Sequence, residues 1–190
     1  MDKALDKPLD KAPDEALDKP LDKALEQAKI KLDEFYDANK EKIGKPYDLA
    51  TGYLEWVAKK TEIIKNEKRF QSPSGITIKR GSVFWAELGH NIDEEFGGRH
   101  PVVVLRVGGR TAIVVPLSTQ EPTEEQKKSG IYAEIKRVYG LKPMKRWANV
   151  LNTMPISIQR FDFNSSYGNV KGEDLDRINE AMKNSGLWRC

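Results

Sequence analysis

Residues 95–119 read EFGGRHPVVVLRVGGRTAIVVPLST. Two apolar runs, Pro101 to Val107 and Thr111 to Leu117, flank Gly108-Gly109-Arg110, and both are rich in β-branched residues. A glycine pair between two such runs is hairpin chemistry, so the spacing predicts antiparallel neighbours joined by a tight turn. Successive strand side chains point to opposite faces. His100, Val102, Val104 and Arg106 therefore share one face, and Arg99, Val103, Leu105 and Val107 share the other. The face with three large aliphatics is expected to cover the core, with His100 and Arg106 turned outward to a groove or an interface. Pro101 disfavours helical backbone at His100 and keeps the two cationic-capable neighbours diverging.

Working outward, the alternating pattern recurs at Ile76–Leu88, Ile131–Val138 and Trp147–Leu151. Short strands separated by glycine turns imply a small, strongly bent barrel. GEDLDRINEAMKNSGL (172–187) reads as a helix with Leu175, Ile178 and Met182 on one face and Gly186 as its stop; such a helix packs on the barrel or plugs it. Upstream, QSPSG (71–75) is turn chemistry and marks a boundary. Before it, helical spacing of Leu25, Ile30, Leu32, Phe35 and Tyr36, then of Tyr53, Leu54, Trp56, Val57, Ile63 and Ile64, predicts two helices. Trp56 and Trp85 are read as core. The first 25 residues repeat a DKAL-like unit, and prolines at 8, 13 and 20 each cost about 3 kcal/mol inside a helix, so this stretch is read as a solvated arm. The organisation expected is a charged repeat arm (1–25), a helical extension (26–70) and a barrel domain (76–190).

Composition narrows the function. Of 190 residues 38% are apolar, enough for one modest core. The sole cysteine, Cys190, allows no internal disulfide, and no stretch approaches about 18 consecutive apolar residues, which points to a cytoplasmic chain. The net charge is +3, and its positive excess lies after Arg69. There is no phosphate-binding glycine loop, dinucleotide fingerprint, HExxH motif or nucleophile elbow. With just two histidines, His90 and His100, on separate segments, metal chemistry is not expected. Arg, His, Ser/Thr and carboxylates remain. That set suits phosphodiester chemistry on RNA, where a ribose 2′-hydroxyl attacks its own phosphate if a base takes the proton and cations hold the oxyanions. An imidazole titrating near about 6.5 can be that base, whereas a guanidinium stays charged and binds phosphate. The basic stretch KPMKRW (142–147), Lys127 and Lys128 are either solvated surface or a track for an RNA backbone, with Trp147 or Phe96 available to stack on a base.

Three segments, KRGSVFWAEL (79–88), EEFGGRHPVVVL (94–105) and RTAIVVPLST (110–119), resemble in order and spacing the PemK/MazF (Kid-like) toxins of type II toxin-antitoxin systems. The resemblance runs from about Lys79 to Leu187 and does not reach the first 70 residues. It implies an SH3-like small β-barrel with a C-terminal helix, here preceded by an α-helical extension, and a homodimer with an antitoxin partner. It further implies a metal-independent endoribonuclease, an mRNA interferase, that cuts single-stranded RNA to a 2′,3′-cyclic phosphate and a 5′-hydroxyl and needs no cofactor. By position, Arg80 and Gly81 match the opening Arg-Gly, Glu95 the acidic loop residue, and Gly97 and Gly98 the loop glycines. Ser118 and Thr119 match hydroxyls that contact the scissile phosphate.

Two departures stand out. His100 occupies the position of the family's catalytic arginine, and Met154-Pro155 replace an Arg-Thr step. The reading assigns His100 to acid-base work, Arg99 or Arg106 to the phosphate, Ser118 and Thr119 to orientation, and Glu95, Phe96, Gly97, Gly98 and Arg106 to substrate contact. Two alternatives stand beside it. One is a toxin-like module that binds RNA or an antitoxin-like partner without cutting. The other is a gyrase-directed toxin acting through Trp188.

Overall fold

The computed structural model describes residues 19–93 and 95–186. Most of the repeat arm, Trp188 and Cys190 lie outside the described residues. The chain divides after Thr51 into two compact units. The first holds helix α1 (Pro20–Asn39) and the start of α2 (Lys45–Lys65). No residue of α1 is buried, and Leu21, Leu25, Ile30 and Tyr36 all face solvent.

The second unit is mainly β, with strands β1 (Ser82–Glu87), β2 (Arg99–Gly108), β3 (Thr111–Pro116), β4 (Tyr132–Ile135), β5 (Arg146–Asn149), β6 (Met154–Ser157), β7 (Phe161–Asp162) and β8 (Gly168–Asn169). A short helix α3 (Glu124–Lys128) precedes β4, and α4 (Glu173–Asn184) follows β8. The larger antiparallel sheet runs β6-β3-β2-β1-β7, with β8 also on β1, while β4 and β5 form a second, two-stranded sheet. The predicted hairpin is present, closing at Gly108↔Thr111. Just past β3 the chain crosses to the second sheet, where Ser118 and Trp147 exchange both backbone hydrogen bonds at 2.9 and 2.8 Å. That bridge curls the two sheets toward one another, giving the mainly β fold with terminal helix that the sequence leads one to expect.

The one-sided core expected for β2 does not hold. Val102, Val103 and Val104 are all fully buried because both faces of the strand are covered. Val103 and Leu105 pack with Val83, Val115, Leu117, Ile135 and Ile178 beneath α4. Val102 and Val104 pack with Phe84, Ile156 and Phe161 on the opposite side. A bulge between Val104 and Arg106 breaks the alternation, and Val107, expected in the core, is exposed. The second core exists because Phe84 stacks on Phe161 with ring centroids 5.0 Å apart, while Phe70, at the end of the expected helical extension, and Ile76 and Ile78, in an expected strand, pack against it.

Helix α4 presents Ile178, Ala181 and Met182 to the first core, as its spacing predicts, with Leu175 partly buried beside them. A buried carboxylate fixes its start: Asp174 accepts from the backbone N–H groups of Lys136 and Arg137 at 3.0 and 3.1 Å and pairs with Arg177. Arg80 donates to the Leu105 carbonyl at 3.0 Å and to the Asn179 side chain, tying the bulge to α4.

Candidate functional site

The loop that delivers β2 is built on glycine. Gly97 has no room for a Cβ, which would lie 2.7 Å from the Gly89 carbonyl oxygen, and Gly98 adopts φ +79°. Two backbone bonds close the loop base, Gly98 N–H to Gly89 at 2.6 Å and Leu88 N–H to Gly98 at 2.8 Å. Within the loop the Glu95 carboxylate accepts from the Ile92 N–H at 3.1 Å, and the Asn91 amide donates to the Phe96 carbonyl at 2.8 Å. This pinning sets where the strand enters the sheet and therefore where residues 99 and 100 stand.

Arg99 and His100 do diverge. Arg99 lies over the Trp85 ring, 4.7 Å from its centroid, and donates to Asp162 at 2.7 Å and to the Ser165 hydroxyl at 2.8 Å, with Glu87 at 3.6 Å. Hydrogen bonds from Ser165 first, and from Arg99 next, pull the Asp162 carboxyl down from 3.8 to about 2. Trp85, read from sequence as core, is half-buried and forms a wall of the cleft beside Arg99. Trp56 is likewise half-buried.

His100 is half-buried against Phe96, ring centroids 4.6 Å apart. Its Nδ1 lies 3.3 Å from the Leu117 carbonyl, and a carbonyl can only accept, so Nδ1 carries the proton and Nε2 the lone pair. Burial pushes the imidazole below its ordinary 6.5, an effect the Leu117 bond partly opposes. The outcome is a neutral imidazole with its basic nitrogen defined.

A cleft of about 510 Å³ brings Arg99, His100, Ser118 and Thr119 together, with Trp85, Lys142 and Arg146 among its other walls. Ser118 also lines a neighbouring pocket of about 200 Å³ with Phe96, Tyr132, Trp147 and Asn149. Its hydroxyl accepts from the Gln120 N–H at 3.0 Å, and Thr119 is exposed. Trp147 is not a free stacking face: it is buried, with the Lys127 and Lys145 ammonium groups 5.4 and 6.0 Å from its ring centroid.

Arg106 does not join this cleft. Six residues along the strand puts it roughly 20 Å from His100, and it lines a different pocket with Arg80, Ile113 and Asn179. The bulge and the length of β2 separate what face periodicity had grouped. Nor does Arg160 reach the cleft; it donates to the Leu88 carbonyl at 3.1 Å and covers the Trp56 ring at 5.1 Å. Arg146, which the sequence offers only as part of a basic stretch read as solvated surface or as a track for an RNA backbone, is 4% exposed and stands in the cleft wall. The expected strand begins one residue later, at Trp147, and its extension to Arg146 is what carries this guanidinium into the cleft wall.

Among the described residues no helix is long and apolar enough to cross a membrane, and no group of His, Cys, Asp and Glu could hold a metal ion. Comparison with curated proteins gives no match. A family model described as "PemK-like, MazF-like toxin of type II toxin-antitoxin system" matches residues 79–185, more than half of the chain and all of it from just before β1 to just past α4. The β-rich unit, its glycine-pinned loop and its terminal helix thus fall inside one matched segment, and the chain belongs to the PemK-like, MazF-like family of type II toxin-antitoxin toxins.

Proposed function

We propose that the protein is an endoribonuclease that cleaves single-stranded RNA without a metal ion, with His100 as general base. The ribose 2′-oxygen attacks the adjacent phosphorus while Nε2 of His100 takes its proton. The bond to the 5′-oxygen breaks, and that oxygen leaves with a proton returned by an acid, giving a 2′,3′-cyclic phosphate and a 5′-hydroxyl. Ser118 and Thr119 orient the phosphate, and the loop from Glu95 to Gly98 holds the flanking nucleotide. The observation that supports this most is the neutral, Nδ1-protonated His100 in one cleft with both hydroxyls. An antitoxin protein is the partner a type II toxin implies; a homodimer in the cytoplasm is the state we propose.

Incubating the full chain with mixed-sequence RNA in EDTA, followed by end-group analysis, tests the reading. Cyclic-phosphate products from wild type and none from His100→Ala are expected. Equal cleavage by both proteins would remove His100 from the chemistry. A second reading, an RNA-binding module without cleavage, draws on Arg99 being occupied by carboxylates and on Met154-Pro155. Binding without product would favour it.

A further inference from the structure

A buried guanidinium is costly unless an anion faces it, because burial strips water from a charge that cannot be discharged. Arg146 is 4% exposed, and burial lowers its proton affinity below the ordinary arginine value. Its protein partners are two backbone carbonyls, Met144 at 3.2 Å and Lys142 at 3.3 Å. Among the described residues it pairs with no carboxylate. Glu134, on the paired strand β4, is taken by Lys145 at 3.2 Å. Two carbonyls account for two of five guanidinium N–H groups. Arg146 also lines the cleft that holds His100 and Ser118.

The contrast with Arg99 decides the assignment. Arg99 is the more exposed cation of the same cleft, yet Asp162, Ser165 and Glu87 already surround it. Arg146 is held rigidly by its own turn and has positive charge left over. It sits on the strand that Ser118 bridges through Trp147, so its position is fixed relative to the hydroxyl by backbone rather than by side chains. We propose that Arg146 is the phosphate-binding cation of this cleft, receiving a non-bridging oxygen of the substrate phosphodiester beside Ser118 and His100. This rests on the ribonuclease reading for the identity of the ligand. The anion-binding role itself stands on a buried guanidinium in the cleft wall that, among the described residues, faces no carboxylate.

The test titrates the ¹⁵N-labelled full chain with two probes, inorganic phosphate and a single-stranded oligonucleotide made wholly of 2′-deoxynucleotides, which the proposed reaction cannot cut. The Arg146 Nε–H resonance, assigned by its loss in Arg146→Lys, is expected to shift with both. Arg146→Gln should weaken oligonucleotide binding by about 10-fold to 100-fold, whereas the exposed Lys183→Gln should change it by less than about 2-fold. Oligonucleotide binding that leaves the Arg146 resonance unmoved, or unchanged affinity in a folded Arg146→Gln protein, overturns the proposal. If Arg146→Gln does not fold, the wild-type resonance decides. If the oligonucleotide does not bind and RNA is not cut, the ribonuclease reading fails; a phosphate-induced shift then still supports the anion site, and no shift overturns it.

Discussion

Arg99 donates to Asp162 across 2.7 Å, and the same carboxylate oxygen accepts from the Ser165 hydroxyl at 2.7 Å. The bond crosses from the first residue of β2 to the last residue of β7, adding a charged link where the backbone pairing of β7 ends. Because the folded Asp162 titrates at about 2 rather than 3.8, the stability it contributes is complete above 3.8 and disappears as pH falls toward 2. Asp162→Asn is expected to flatten the loss of stability over that window, and to cost about 0.5–1 kcal/mol at neutral pH. Urea unfolding across the acid range is the measurement. Parallel curves for variant and wild type would show that the ion pair contributes nothing.

His100 carries an acid cost of the same sign at higher pH. Burial lowers its folded titration below 6.5, so the unfolded chain binds the extra proton first and stability declines as pH drops below that value. The cleavage rate should follow the neutral imidazole, so its acid limb should be centred below pH 6.5. His100→Gln is expected to lower kcat/KM by about 100-fold or more and to abolish the acid limb. An unchanged pH profile in that variant would assign the limb to another group.

The loop glycines make a stability prediction independent of activity. Gly97→Ala forces a Cβ to within 2.7 Å of the Gly89 carbonyl, so the loop must move, at a cost of about 1–3 kcal/mol. Gly109→Ala, at φ +62° with open space around it, should cost about 1 kcal/mol through backbone strain alone. Thermal unfolding of the two variants ranks them. Equal losses would mean that contact with Gly89 does not constrain the loop.

Asp174 and Glu173 sit side by side at the start of α4 and both lie near Arg177, but only Asp174 is buried and holds two backbone N–H groups. Asp174→Ala should destabilise the fold by about 3 kcal/mol, and Glu173→Ala by less than about 0.5 kcal/mol. Denaturant midpoints report the difference. A small effect at Asp174 would mean that apolar packing of Ile178 and Met182 alone sets the helix.

These contrasts show which parts of the molecule are readable from residue order. The β2–β3 hairpin and α4 are legible because their signals are local: a glycine pair between β-branched runs, and apolar residues at helical spacing. β6, β7 and β8 are two to four residues long and include Pro155, so no period has room to develop. The second core was missed because alternation assumes one wet face, and Phe161, remote in sequence, dries it. Position within the resembling segments singles out His100, Ser118 and Thr119, and these three line one cleft. Arg146 is not singled out, because what distinguishes it from the exposed Lys142 and Lys145 is the burial of its charge, which residue order does not display. Arg106 was misplaced for the converse reason: sharing a face says nothing about distance along it.

Gly89 begins the loop at φ +101°, and a Cβ there would fall 2.8 Å from the Trp56 ring. The indole belongs to α2, outside the segment that defines the family, yet it forms one wall of the hinge on which Glu95 to Gly98 hang. Any shift of that hinge changes the solvent and the quenching groups around the indole. The helix preceding the toxin domain thereby contains an optical gauge of the loop, readable as the difference in emission between wild type and Trp56→Phe.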